Sequence, residues 1–337
     1  PFVWLIGISC IYIVFSYYYH GASSREMRAM IGSTLFLIFF PYKLLTTKRI
    51  SWVVFFGGLL TCANSLYFNL YIGSVRDTGY INPIPYATTS ALLAIIAFSL
   101  LINAASIRSK LLSLASFILY LPPIIISDSR GVWVALFISL ILILIISIKN
   151  SPSIKSTLFF IITLFVLLPS VFFLFKDNIS QRYNSTIVEI KRIQHGHYNT
   201  SIGLRLQMWT IAPEIFIQSP LIGVGEKNKI ILLEKIKDKN VYKTFYHYAS
   251  SHYHNQLIEK MVKSGVIGLL LTISLLFYPI FIMGNLPIHE KCIVIGLTSL
   301  FFIAGLTDVP FSHAQPLILY LLFMVPICSR CKRVTND

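Results

Sequence analysis

The chain has 337 residues, of which 55% are hydrophobic and 12% are charged, and its mean hydropathy is +0.73. Soluble domains carry about 25% charged residues, so an ordinary soluble enzyme is excluded and an all-α polytopic membrane protein is implied. The formal net charge of +15 is divided between basic loops on one membrane face and one basic loop on the other, a pattern of membrane topology and anionic lipid partners, with no nucleic-acid partner expected.

A membrane helix needs about 20 apolar residues. Ten stretches qualify: 1–19, 29–45, 51–73, 86–105, 111–127, 132–148, 156–175, 257–283, 291–307 and 314–329. The first has no basic leader region, so it reads as a span rather than a signal peptide. Because the chain starts at Pro1 and not at Met, a further hairpin is expected before it, giving twelve spans in the intact protein. The domain reading is a seven-span bundle over 1–175, a polar loop with short amphipathic helices over 176–256, and a three-span bundle with a tail over 257–337. Lys43, Lys48, Arg49, Arg108, Lys110, Lys149, Lys155, Lys291, Arg330, Lys332 and Arg333 fall on one side. Only Arg25, Arg28, Arg76 and Arg130 occupy short loops on the other. The first side is therefore cytoplasmic by the positive-inside rule. Both chain ends lie on it, and the long loop lies outside. Cys328 and Cys331 form a CxxC, too few ligands for a zinc site. The spans are almost free of ionisable groups, which counts against an ion-coupled transporter.

Three outer segments carry candidate chemistry. In "SDSRG" (127–131), Arg130 stands at a helix start, the unfavourable end for a cation. It could pair with Asp128, or hold an anion together with free helix N–H groups. Gly131 would let a ligand approach the backbone, and Pro122 and Pro123 would kink the preceding span. In "SIGLRLQMWTIAPEIFIQSPLIGVG" (201–225), Leu204, Met208, Ile211 and Ile215 recur at helical spacing. Arg205 sits at the edge of that face, either snorkelling or clamping a phosphate. Trp209 suits the interface, Pro213 bends or ends the helix, and "SPLIGVG" reads as a turn. Residues 176–263 hold 13 of the 28 lysines and arginines, and "EKNKIILLEKIKDKNVYK" (226–243) could lie on headgroups as an amphipathic helix.

The third segment is "SSHYHNQLIEKMVKSGVIGLLL" (250–271). If the helix begins near His254, then His254, Ile258, Met261, Gly265 and Gly268 form one stripe, and its bare lower half could pack a helix or a lipid chain. His254 could be a metal ligand, a structural histidine or a base at the membrane surface. His252 and His254 are two apart, and neither HExxH nor DxD occurs, so no metal is expected.

These segments resemble the O-antigen ligase family, within the wider group of ligases, O-antigen polymerases and protein O-oligosaccharyltransferases. The likeness rests on Ser129-Arg130-Gly131, on Arg205 and Trp209 followed by residues 219–225, and on His254-Asn255 with Gly265 and Gly268. It implies a C-type glycosyltransferase fold and a donor glycan on undecaprenyl diphosphate. It also implies a lipid A–core acceptor, an active site on the periplasmic face of the inner membrane, and no cofactor. By the same resemblance His254 is the general base, and Arg130 and Arg205 hold the donor diphosphate. Asn255, Asp308 and His252 are supporting candidates, and Gly265 and Gly268 line a packing or lipid groove.

Overall fold

The computed structural model describes residues 2–76, 79, 81–102, 104–150, 173, 176–235 and 252–330. Within them the apolar runs become helices and no strand occurs: α1 (Phe2–His20), α2 (Ser24–Phe39), α3 (Thr47–Leu66), α4 (Pro83–Ile102), α5 (Ile107–Leu119), α6 (Leu121–Ile126) and α7 (Arg130–Asn150). The polar region supplies α8 (Lys176–Gln194), α9 (Ser201–Phe216) and α10 (Asn228–Lys235). The last part holds α11 (Gln256–Ile282), α12 (Ile288–Gly305) and α13 (Ala314–Arg330). Among the described residues, seven helices are long and apolar enough to cross a membrane, counting α3 with the turn that prolongs it to Tyr71, and α5 with α6. The protein is thus a multi-pass, all-helical membrane protein. Nine of the ten expected spans have a helix. The tenth, 156–175, lies outside the described residues except for Phe173, as do residues 236–251 of the basic loop.

Helix α4 is the centre of the bundle, buried on every face. Ala87, Ala91 and Ala94 are fully inaccessible, and such small side chains let neighbouring helices approach closely where lipid supplies no hydrophobic drive. It packs against α3, α5, α6, α7, α12 and α13. The most extensive helix pair is α7 with α12. A Cβ at Gly296 of α12 would come within 2.5 Å of Ile95 and 2.7 Å of Ile143, and Ser299 donates to Ser139 at 2.8 Å across the same seam. In contrast, α1 and α3 leave Trp4, Ile11, Val53 and Leu60 exposed, as expected of helices on the lipid side.

Pro122 and Pro123 break the fifth span into α5 and α6 at Tyr120. The Trp133 indole fills in behind the break and donates to the Ile124 carbonyl at 2.8 Å, so the proline pair turns the chain towards residues 127–131.

The expected stripe from His254 to Gly268 does not form as one helix face. Asn255 is the N-cap of α11, its Oδ1 accepting from the Leu257 and Ile258 N–H groups at 3.0 and 3.1 Å. His254 therefore lies outside the helix, with φ of +51°. The helix is interrupted again at Gly265 (φ 62°, ψ −166°). Residues 219–225 cross it there. Val224 N–H donates to the Val262 carbonyl at 2.9 Å, and Val266 N–H donates to Pro220 at 2.8 Å. A Cβ on Gly265 would lie 2.3 Å from the Leu221 carbonyl, and one on Gly223 would lie 2.4 Å from Lys263. The place kept for a lipid is thus filled by protein backbone at Gly265, while Gly268 packs near Tyr12 of α1. Periodicity could not show this, because a glycine needed for a backbone crossing reads like a glycine needed for a groove.

Gly265→Ala combines a clash with backbone and a side chain at positive φ, each worth about 1–3 kcal/mol. The variant should melt several degrees below wild type in detergent. A melting temperature equal to wild type would show that the crossing does not constrain this position.

Candidate active site

One cavity of about 390 Å³ opens at the end of the bundle that carries residues 127–131 and 307. Arg76, Arg130, Arg182, Arg205, Asp128 and His254 all line it. The chain delivers them from separate elements. Arg76 lies in the loop after α3, Arg130 is the first residue of α7, Arg182 is on α8, Arg205 is on α9, and His254 is in the turn before α11. Arg130, Arg205 and His254, placed together from sequence, do meet here.

Helix α9 forms because its apolar residues recur at helical spacing. Leu204, Met208, Ala212 and Ile215 are buried, and Thr200 caps it, accepting from Gly203 N–H at 3.0 Å. The helix runs through Pro213 to Phe216. Burying that face leaves Arg205 and Trp209 on the cavity wall.

Arg130 does not pair with Asp128. Its Nη2 binds Glu189 at 3.1 Å and its Nη1 donates to Thr186, both on α8. Asp128 pairs instead with Arg182 of α8 at 3.2 Å, and Arg76 donates to the Ser127 carbonyl at 2.9 Å. Burial pushes the Asp128 carboxyl up, against the pull of Arg182, Arg76 and Arg130. Among the described residues, Asp128 (φ +58°) and His254 are the non-glycine residues at positive φ. Such strained backbone concentrates at functional sites. Gly131 serves packing, since a Cβ there would lie 1.9 Å from the Thr307 hydroxyl.

The turn that carries His254 is held from both sides. Tyr253 N–H donates to Glu259 Oε2 at 2.8 Å, and the Trp209 indole donates to the Tyr253 carbonyl at 2.9 Å. Lys263 bridges Glu259 at 2.9 Å and Glu226 at 3.2 Å. Asn255 Nδ2 donates to the Leu306 carbonyl at 3.4 Å, and Gln256 Oε1 accepts from Phe311 N–H at 2.8 Å. Asn255 and Trp209 therefore hold the turn in place.

Asp308 is buried among three histidines. Its Oδ1 lies 3.2 Å from His252 Nε2 and 3.9 Å from His254 Nδ1, and its Oδ2 lies 3.1 Å from His313 Nε2. Burial would raise its pKa, but the hydrogen bonds and charges of His252 and His313 hold the carboxyl below its ordinary range. His252, Asp308 and His313 also place one ligand atom each within 4.8 Å of one another. Two imidazoles and a carboxylate are a donor set that suits zinc, a possibility that the two-residue spacing of His252 and His254 did not reveal. His254 itself is pushed down to about 2, first by burial and then by His252 and Arg205, with Asp308 opposing. It is a neutral imidazole across the physiological range.

Arg76, Arg182, Thr186, Glu189 and His313 were not found from sequence. Arg182, Thr186 and Glu189 do carry a signal, because spacings of i, i+4 and i+7 put them on one face of α8. That face is polar, and apolar periodicity is blind to it. Arg76 and His313 reach the site only through the fold.

Residues 115–273 match the family model described as O-antigen ligase. That stretch runs from α5 to the first part of α11 and contains Arg130, Arg205 and His254, but not Arg76 or Asp308. An uncharacterised protein of Haemophilus influenzae is 29% identical over 283 residues, covering 80% of this chain and 68% of that protein. An O-antigen ligase of Escherichia coli K12 is 27% identical over 118 residues, covering 35% of this chain and 28% of that protein.

The depressed His254 pKa sets a pH dependence. Below about pH 6.5 the unfolded chain takes up a proton that the folded chain refuses, so stability falls with falling pH. Between about pH 7 and about pH 5 this amounts to about 2 kcal/mol, above the range where Asp308 begins to matter. Asparagine tolerates positive φ, so His254→Asn should fold and should flatten that slope. An unchanged slope in thermal melts would mean that His254 is solvated.

Proposed function

We propose, from the match of residues 115–273 to the O-antigen ligase family model, that this protein transfers a glycan from undecaprenyl diphosphate to a sugar hydroxyl of a lipid A–core acceptor. The observation that carries the proposal is the single cavity lined by His254 and four arginines. We place it on the periplasmic face of the inner membrane, following the asymmetry of lysine and arginine between the loops.

The chemistry follows from the residues. The acceptor oxygen attacks the anomeric carbon, and the bond from that carbon to the diphosphate oxygen breaks. The electron pair leaves with undecaprenyl diphosphate, and the hydroxyl proton goes to His254. A general base must start neutral, and burial with Arg205 nearby keeps it so. A base this weak needs its pKa raised at the moment of reaction. The donor diphosphate does that by offsetting the arginine charge, and Asp308, facing Nδ1, stabilises the imidazolium that forms. Arg130 and Arg205, joined by Arg76 and Arg182, stabilise the charge growing on the leaving group. His252 and His313 hold the Asp308 carboxylate in place for that purpose.

His254→Ala should lose about 10²–10⁴-fold in rate, the usual contribution of a general base. Arg130→Lys should also be poor, because Arg130 directs two nitrogens at two partners and lysine has no such fork. The assay is a lipopolysaccharide gel in a ligase-deleted host with a matching core. A ladder restored by wild type but not by His254→Ala supports the assignment. A ladder from both removes His254 as the base. No ladder from well-expressed wild type points to the polymerase or to the protein O-oligosaccharyltransferase reaction. In purified form, transfer between lipids in detergent separates any transferase from a flippase. A chelator should leave that transfer unchanged, whereas a loss restored by zinc would assign a metal to His252, Asp308 and His313.

A further inference from the structure

The donor site proposed above requires Arg130 to face a phosphate, yet both of its terminal nitrogens are turned to α8. Nη1 donates to Thr186 and Nη2 lies 3.1 Å from Glu189 Oε1. The second oxygen of the same carboxylate accepts from Ile202 N–H at 3.1 Å. That N–H is in the first turn of α9, where backbone donors have no partner inside the helix and the dipole is positive. Glu189 thus sits between a guanidinium and a helix N-terminus, which together make an anion site. Arg130, Thr186 and Ile202 all line the cavity.

Helix α8 itself is lightly held. None of its described side chains is buried. What joins it to residues 128–130 is polar: Arg182 on Asp128, and Thr186 and Glu189 on Arg130. The side chains of these pairs are only 16–27% exposed, so separating them is cheap only where an anion takes the place of the departing carboxylate.

We infer that Glu189 is a resident counter-ion standing in a phosphate subsite made by Arg130 and the Ile202 N–H. The donor diphosphate displaces it and takes over both donors. The inference rests on the reading of Arg130 as a donor ligand. It adds a backbone ligand from α9 and gives α8 the part of a cover that the donor unlatches. Glu189 is in this sense a positioning residue that lowers donor affinity while it keeps the empty site in shape.

The test is binding of undecaprenyl diphosphate, without glycan, to the full chain in detergent at low salt, followed by tryptophan fluorescence. Wild type, Glu189→Gln, Glu189→Ala and Arg130→Ala are compared. Both Glu189 variants should bind about tenfold more tightly, the least that removing a like charge beside a bound anion should give. They should also show a lower donor KM. A Glu189 residue that merely braced Arg130 would give the opposite sign. Binding that is lost in Arg130→Ala but unchanged or weakened in both Glu189 variants overturns this inference and leaves the donor reading standing. Binding that Arg130→Ala leaves intact, or no binding by wild type, overturns both.

Discussion

The site depends on one backbone crossing. Helix α11 is interrupted at Gly265, and an interrupted helix leaves carbonyl and N–H groups without helical partners. Within a membrane bundle those groups must be satisfied by protein. Here residues 219–225 do so, with hydrogen bonds between Val224 and Val262 and between Pro220 and Val266. The crossing ties the end of α9 to the start of α11. Arg205 and Trp209 hang from one side of that tie, and the His254 turn hangs from the other. The Glu226–Lys263–Glu259 chain then passes the same constraint to the Tyr253 backbone.

Around this frame the charges form a graded field. Four arginines converge on one cavity, and Asp128 on its wall and Glu189, paired with Arg130, offset them in part. The histidine beside them is kept uncharged. A dianionic ligand entering such a field meets attraction from all four guanidinium groups and at the same time relieves the pressure on the imidazole. In the proposed mechanism, binding of the donor thereby prepares His254 for the acceptor. That proposed order follows from electrostatics and needs no movement of His254, whose turn is already clamped.

Most of the fold was legible because a membrane helix announces itself by length and apolarity. All nine stretches within the described residues became helices, with ends displaced by a few residues. Capping residues set those ends, as Asn255 does when it starts α11 at Gln256. The cavity was legible where a residue type stands in a short local pattern, as with Arg130, Arg205 and His254, which meet at it. It was illegible where the contact is made by topology. Asp308 was a weak candidate in sequence, yet three histidines surround it. Glu189 drew no reading from the sequence, and only distance shows what it holds. The glycines misled for a similar reason: Gly265 and Gly131 accommodate protein neighbours where sequence allowed a ligand.

The crossing also dates the site in the life of the molecule. Residues 219–225 leave the ribosome before α11 does, and they have nothing to pair with until residues 262–267 exist. Their carbonyl and amide groups must stay in water or at the lipid surface during that interval. The arginine-bearing half is therefore made first and waits. The cavity closes only when the second half of the chain has been inserted and has turned its broken helix towards the waiting loop. Assembly of the site is a late step of biosynthesis, and a chain halted before α11 carries the arginines without the pocket.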